Sequence, residues 1–154
     1  MSFRKKYDGT IKEFFHNDFY EALTYSIMIY EDFNRPVIVR YAEYLSFCIT
    51  RKPHSLGIMQ MTTDKYIDNK ESIRLAMQKI VADSDKAWKA ISNHTYIKSI
   101  ISASYVASQI GHYYNPGDYN YATEVQEIFN QISEIFYGLM PNSLEDFEKI
   151  FKAE

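Results

Sequence analysis

One cysteine, five glycines and four prolines in 154 residues exclude several kinds of protein at once. A lone Cys48 cannot form an internal disulfide framework. It lies between Phe47 and Ile49, so the sequence predicts a buried, inert thiol, because a reactive thiol needs an electropositive, accessible setting. Few glycines and prolines, and no long run of alternating apolar and polar residues, argue against a turn-rich β-protein. No internal repeat or low-complexity stretch is present. No stretch is long and apolar enough to span a bilayer. No apolar segment of a secretory signal follows Met1-Ser2-Phe3-Arg4-Lys5-Lys6-Tyr7-Asp8. The location is therefore left open: the chain stays in the cytoplasm, leaves by another route, or is a piece of a larger protein, with the cell envelope expected in the last two cases. A formal net charge of −3 does not favour a nucleic-acid partner, which would call for a basic surface. The short basic run Arg4-Lys5-Lys6 reads as a solvated tip. His16, His54, His94 and His112 lack zinc-motif spacing, so neither a metal nor another cofactor is expected.

What the chain does have is apolar and aromatic mass. Hydrophobic residues make up 46% and aromatics 16%, with 14 tyrosines. That suits one folded core rather than disorder. The periodicity predicts an all-α domain of six or seven helices over residues 1–154, with a small non-helical insert around 52–66. A first short helix or turn covers about 8–16. Asn17 or Asp18 caps a second helix running to Tyr30, so apolar all round that it must be buried. Pro36 opens a third, whose narrow polar stripe of Arg40, Glu43 and Ser46 predicts a largely buried helix with one wet edge. Gly57 lies in a compact run, 55–63, that suits a small hairpin. Asp68 and Glu71 form a capping-box pattern before a long helix, which Asp83-Ser84-Asp85 is expected to bend or break. A helix rich in small residues follows over about Thr95–Tyr113. The turn Tyr114-Asn115-Pro116-Gly117 ends it. Another clear 3.6-residue period runs from Ala122 to Leu139, and Ser143 and Asp146 open a short last helix.

Two pieces concentrate the chemistry. Glu31 stands where the buried second helix ends. Ser55-Leu56-Gly57-Ile58-Met59-Gln60 is a polar, backbone-rich loop. A carboxyl near such a loop is a candidate general acid: burial strips hydration from its charged form and raises its pKa, the C-terminal end of a helix dipole acts the same way, and Asp32 beside it adds a like charge.

With these motifs in order, the sequence resembles the lysozyme-like superfamily, in particular lytic transglycosylases and goose-type lysozymes. Glu31 at a helix end, Gly57-Ile58-Met59-Gln60 beside that family's Gly-Leu-Met-Gln loop, and Tyr114-Asn115-Pro116-Gly117 beside its Tyr-Asn-Ala-Gly turn carry the likeness over roughly residues 19–139. Asp32 stands where the family usually has serine, and the interval from Glu31 to Gly57 is longer. Peptidoglycan glycosyltransferases, with a Glu-Asp pair and an intervening helical stretch, are similar in that respect. On the shorter interval Glu43 would be the acid instead, but it falls on the predicted wet stripe.

The resemblance implies a lysozyme-like fold and cleavage of peptidoglycan glycan strands by a lytic transglycosylase or muramidase. Glu31 would be the catalytic acid and base. Ser55, Gly57, Met59, Gln60, Tyr114 and Asn115 would line the substrate site. Ser55 and Gln60 would hydrogen-bond sugar substituents, Gly57 would let backbone approach the glycan, and Tyr114 would place its hydroxyl near the acid. Asn115 would fix the turn or touch substrate. Arg51, Lys52 and His54 would attract stem-peptide carboxylates. Asp64, Asp68 and Asp118 are possible second carboxylates, and each is also a natural cap or surface residue. The alternative is a catalytically inactive lysozyme-like module that binds glycan or another protein.

Overall fold

A computed structural model describes residues 3–93, 101–138 and 140–153. The chain is mostly helical. Its elements are α1 (Phe3–Lys12), α2 (Asp18–Asn34), α3 (Val37–Thr50), β1 (His54–Leu56), β2 (Met61–Thr63), α4 (Asn69–Ser92), α5 (Ala103–Tyr114), α6 (Tyr121–Phe136) and α7 (Leu144–Ala153). Among the described residues no helix is long and apolar enough to cross a membrane.

The core is built around α2. Asn17 caps it by accepting the Tyr20 N–H at 2.9 Å. Every residue from Phe19 to Met28 is buried. The polar ones among them are satisfied: Thr24 and Ser26 donate their hydroxyls to the carbonyls of Tyr20 and Ala22, and Glu21 accepts from Tyr137 Oη at 3.2 Å. An all-round buried helix needs neighbours on every side. α1, α4, α5 and α6 pack against it. Phe19 meets Phe129 of α6 and Phe147 of α7 edge-on, and Tyr20 stacks on Phe15 at 4.6 Å.

α4 is longer than the sequence suggested. Asp68 caps it, accepting the Glu71 N–H at 2.8 Å. It then runs unbroken through Asp83-Ser84-Asp85. Asp83 is buried, and its carboxylate meets Lys79 at 2.5 Å and Lys86 at 2.6 Å from adjacent turns. Ser84 returns its hydroxyl to the Ile80 carbonyl at 2.7 Å. Both polar groups are therefore paired without interrupting the helix. The first half of the small-residue helix expected from Thr95 lies outside the described residues up to 100. Its second half is α5, capped by Ser102. Leu139 also lies outside them.

The insert is a two-stranded antiparallel hairpin pairing His54 with Thr63 and Leu56 with Met61. A satellite cluster of Phe47, Leu56 and Ile67 joins it to α3.

α3 corrects the sequence expectation. Phe47 is its one buried residue. The Arg40–Glu43 stripe is the side turned inward: Arg40 pairs with Asp32, and Glu43 with Arg35, both partners being on or just after α2. The apolar face points outward, with Ile38, Tyr41, Leu45 and Ile49 exposed. Cys48 lies on this outer side and is exposed rather than buried.

Candidate active site

α2 extends one turn past Tyr30, so Glu31 lies in its last turn and the Arg35 N–H closes on the Glu31 carbonyl at 3.0 Å. This brings Glu31 to a cleft of about 440 Å³ lined by Glu31, Arg35, Ser55, Met59, Gln60, Met61, Thr62, Lys79, Tyr114 and Asn115. Three separated stretches of sequence thus converge: the end of α2, the β-hairpin and the α5–α6 turn. Of the seven predicted site residues, six line the cleft.

The Glu31 carboxyl is pushed up to about 7. Burial is the main cause, since it strips water from the charged form. Tyr121 and Arg35 oppose this by favouring the carboxylate, and Asp118 adds a weaker like-charge push upward. Asp32, the like charge expected from the sequence, is instead taken up by Arg40. The net result is a carboxyl that carries its proton near neutrality and can still give it up, which is the requirement for a general acid.

The tyrosine that holds this carboxyl is Tyr121. Its hydroxyl donates to Glu31 Oε1 at 2.9 Å. Burial pushes the Tyr114 hydroxyl up, and Tyr114 stands close enough to Glu31 for that charge to add to the push. Its ring stacks on Tyr121 at 5.9 Å and 18°, and its hydroxyl reaches the Met61 sulfur at 3.5 Å. Tyr114 thus braces the ring beside the acid. Tyr30 meets Tyr121 from another side at 4.5 Å and donates to Asp118 at 2.6 Å. Tyr121 opens α6 directly after the turn singled out in the sequence, and that position was the available signal for it.

The hairpin turn presents the polar wall. Gln60 folds over it, with its N–H and its side-chain Nε2 both donating to the Gly57 carbonyl. Its Oε1 is buried without a hydrogen-bond partner. Ser55 lies across from Thr62, their hydroxyl oxygens 3.4 Å apart. Met59 is buried and supplies an apolar patch. Gly57 is the predicted site residue that does not line the cleft. Its open side faces Ser72 of α4, so the close approach it permits is between two parts of the protein. Asn115 ends α5, its N–H bonded to the Gly111 carbonyl at 3.1 Å.

Two cations enter the cleft that sequence reasoning did not single out. Arg35 is held by Glu43, and Glu43 itself does not line the cleft. Lys79 bonds to Asp83 and to the Tyr114 carbonyl at 2.8 Å, its ammonium 4.4 Å from the centre of the Tyr114 ring. Arg51 and Lys52 lie between α3 and the hairpin and His54 opens β1, and none of the three lines the cleft.

Comparison with protein-family models, curated proteins and solved structures finds no match to the chain. The functional reading therefore rests on the motifs and on this geometry. Among the described residues no cluster of His, Cys, Asp or Glu could hold a metal ion. Glu31 is the one carboxylate among the described cleft-lining residues. Asp68 is committed to capping α4. Asp118 accepts from Tyr30 and from the Asn120 N–H, which keep its carboxyl below the usual range. Asp64 is exposed beyond β2.

Proposed function

We propose that this chain is a lysozyme-like enzyme that cleaves peptidoglycan glycan strands with Glu31 as general acid and base. The observation that carries the reading is a carboxyl held near pH 7 in a polar cleft assembled from the three motifs. Protonated Glu31 donates to the glycosidic oxygen as the bond to the anomeric carbon breaks. Hydrolysis by the usual two-carboxylate scheme calls for a second acid within roughly 5–9.5 Å, and the lining supplies none. The lytic transglycosylase route needs one. The Glu31 carboxylate then takes the proton of the sugar's own 6-hydroxyl, whose oxygen closes on the anomeric carbon to give an anhydro ring.

The lining suits such a substrate. Ser55 and Thr62, both on the lining, offer hydroxyls to sugar substituents. Half-buried Met61 offers apolar surface to a sugar face. Arg35 and Lys79 favour a substrate bearing carboxylates.

The test is release of fragments from purified peptidoglycan, read by mass spectrometry. Anhydro ends are expected. Reducing ends would mean hydrolysis and a second carboxylate outside the lining. No release between about pH 5 and pH 8 by folded protein would overturn the reading in favour of an inactive binding module.

Tyr121 supplies a graded check. Its hydrogen bond stabilises the charged form of Glu31. Removing the hydroxyl in Tyr121→Phe therefore raises the Glu31 pKa above about 7. The alkaline limb of kcat/KM, and the NMR titration of the Glu31 carboxyl carbon, should both move up by about one pH unit, the size expected for losing a hydrogen bond to a charged group. An unmoved titration would show that the hydroxyl does not act on the acid.

A further inference from the structure

The outward face of α3 is the largest feature that the cleft leaves unused. Val37, Ile38, Tyr41, Leu45 and Ile49 are each between 55% and 82% exposed, and Phe33, at the end of α2, is 86% exposed. Together they leave on the order of several hundred Å² of surface in solvent, the scale of the share one partner contributes to a standard stable interface. A groove of about 480 Å³, lined by Val37, Tyr41, Leu45, Cys48 and Tyr66 among others, runs alongside. Inside the chain α3 is held by little: Phe47 in its small cluster, the Tyr44 hydroxyl on the Ile67 carbonyl at 2.7 Å, and the two ion pairs to the end of α2. A 14-residue helix gains most of its stability from packing an apolar face, and this one has its apolar face in solvent.

We infer that α3 is the two-fold interface of a homodimer, packed antiparallel against α3 of a second copy. The pattern of the face fits helix-on-helix packing. Ile38, Tyr41, Ala42, Leu45, Cys48 and Ile49 recur at three- and four-residue steps, the seam of a paired helix. The seam carries no charged residue, as a buried interface core requires. Ala42 is small and near the middle, where two helices cross closest. Antiparallel pairing also opposes the two helix dipoles. The polar side of α3 carries Arg40 and Glu43, both ion-paired within the chain, unlike the Lys- and Arg-rich polar face of a helix that lies on an anionic bilayer. A two-fold axis is also the commonest way for one patch to satisfy itself.

Sedimentation equilibrium from about 0.01 to 100 µM, a range that reaches toward the nanomolar affinities of standard-sized interfaces, tests this. The parent should be dimeric, and Ile38→Glu/Leu45→Glu monomeric with unchanged helical circular dichroism. Labelling of the Cys48 thiol should slow by about tenfold or more as the parent is concentrated, because the dimer covers it. A variant with Cys48→Ser and Ala42→Cys should cross-link to a dimer through position 42, which tests the geometry without disturbing charge. A parent that stays monomeric over the whole range overturns the inference. So does a dimer that survives the double glutamate variant. Uptake of monomer onto phosphatidylglycerol–phosphatidylethanolamine vesicles, lost in that variant, would assign the face to lipid and overturn it as well.

Discussion

A Glu31→Gln variant is expected to lose glycan cleavage by about 10²- to 10⁴-fold, the usual contribution of a positioned general acid, and to melt above the parent at pH 8. The two effects share one cause. Burial holds the Glu31 carboxyl at about 7, against 4.5 for an ordinary glutamate. Between those two values the folded protein keeps a proton that the unfolded chain has released. Folding stability therefore falls as pH rises from about 4.5 to about 7, and it stays reduced above that. The difference corresponds to about 3 kcal/mol at pH 8. Glutamine has no charge to bury and can still accept from the Tyr121 hydroxyl. The variant should thus gain several degrees in melting temperature at pH 8 and little at pH 4, where the parent's carboxyl is protonated in both states. Calorimetry at the two pH values checks this without any substrate. Equal melting temperatures at pH 8 would mean that the carboxyl is not under strain, and the case for Glu31 as the acid would lose its physical basis.

The helices were legible because their signals are local. The buried run from Phe19 to Met28, the caps at Asn17 and Asp68, and the Pro36 break each depend on residues a few positions apart. The convergence of Glu31 with Gln60 and Asn115 was legible through the order of motifs alone. Tyr121 was marked only by its position just after the 114–117 turn, since its residue type alone does not distinguish a tyrosine that holds a carboxyl from one that fills a core. The same limit applies to Lys79, whose partners Asp83 and the Tyr114 carbonyl stand on two different helices. The orientation of α3 failed for a deeper reason. Periodicity shows that a helix has an apolar face and a polar stripe, and the usual inference turns the apolar face inward. Here Asp32 and Arg35 provide charges that draw Arg40 and Glu43 against α2. The apolar face then has no partner within the described chain. Asp83-Ser84-Asp85 misled in a similar way. Its polarity suggests a break, but lysines one turn away on either side pair the buried carboxylate within the helix.

Gly57→Ala should cost far more stability than Gly138→Ala, although the two glycines share one backbone conformation. Their φ angles are +73° and +74°. Each alanine would pay the left-handed penalty of about 1–2 kcal/mol. At Gly138, which follows α6, an added methyl meets nothing within 4 Å, so the penalty ends there. At Gly57 the methyl carbon would lie 2.2 Å from Ser72 Cβ and 2.5 Å from Ser72 Oγ. Ser72 cannot simply rotate away. Its hydroxyl accepts the buried Met59 N–H at 3.0 Å and donates to the Leu56 carbonyl at 3.3 Å. Relief of the clash must move either α4 or the hairpin turn, and overpacking of this kind adds about 1–3 kcal/mol. Breaking the Ser72 bonds would leave the Met59 N–H unpaired at a further cost of similar size. The total for Gly57→Ala is on the order of 4 kcal/mol, against about 1–2 kcal/mol for Gly138→Ala. Urea unfolding of both variants measures the difference. Gly57 carries the turn that presents Met59 and Gln60, so Gly57→Ala should also lose cleavage under conditions where circular dichroism shows the helices intact. Gly138→Ala should retain it. Similar losses of stability in the two variants would mean that the hairpin turn yields freely, and Ser72 could not then be what fixes the polar wall of the cleft against α4.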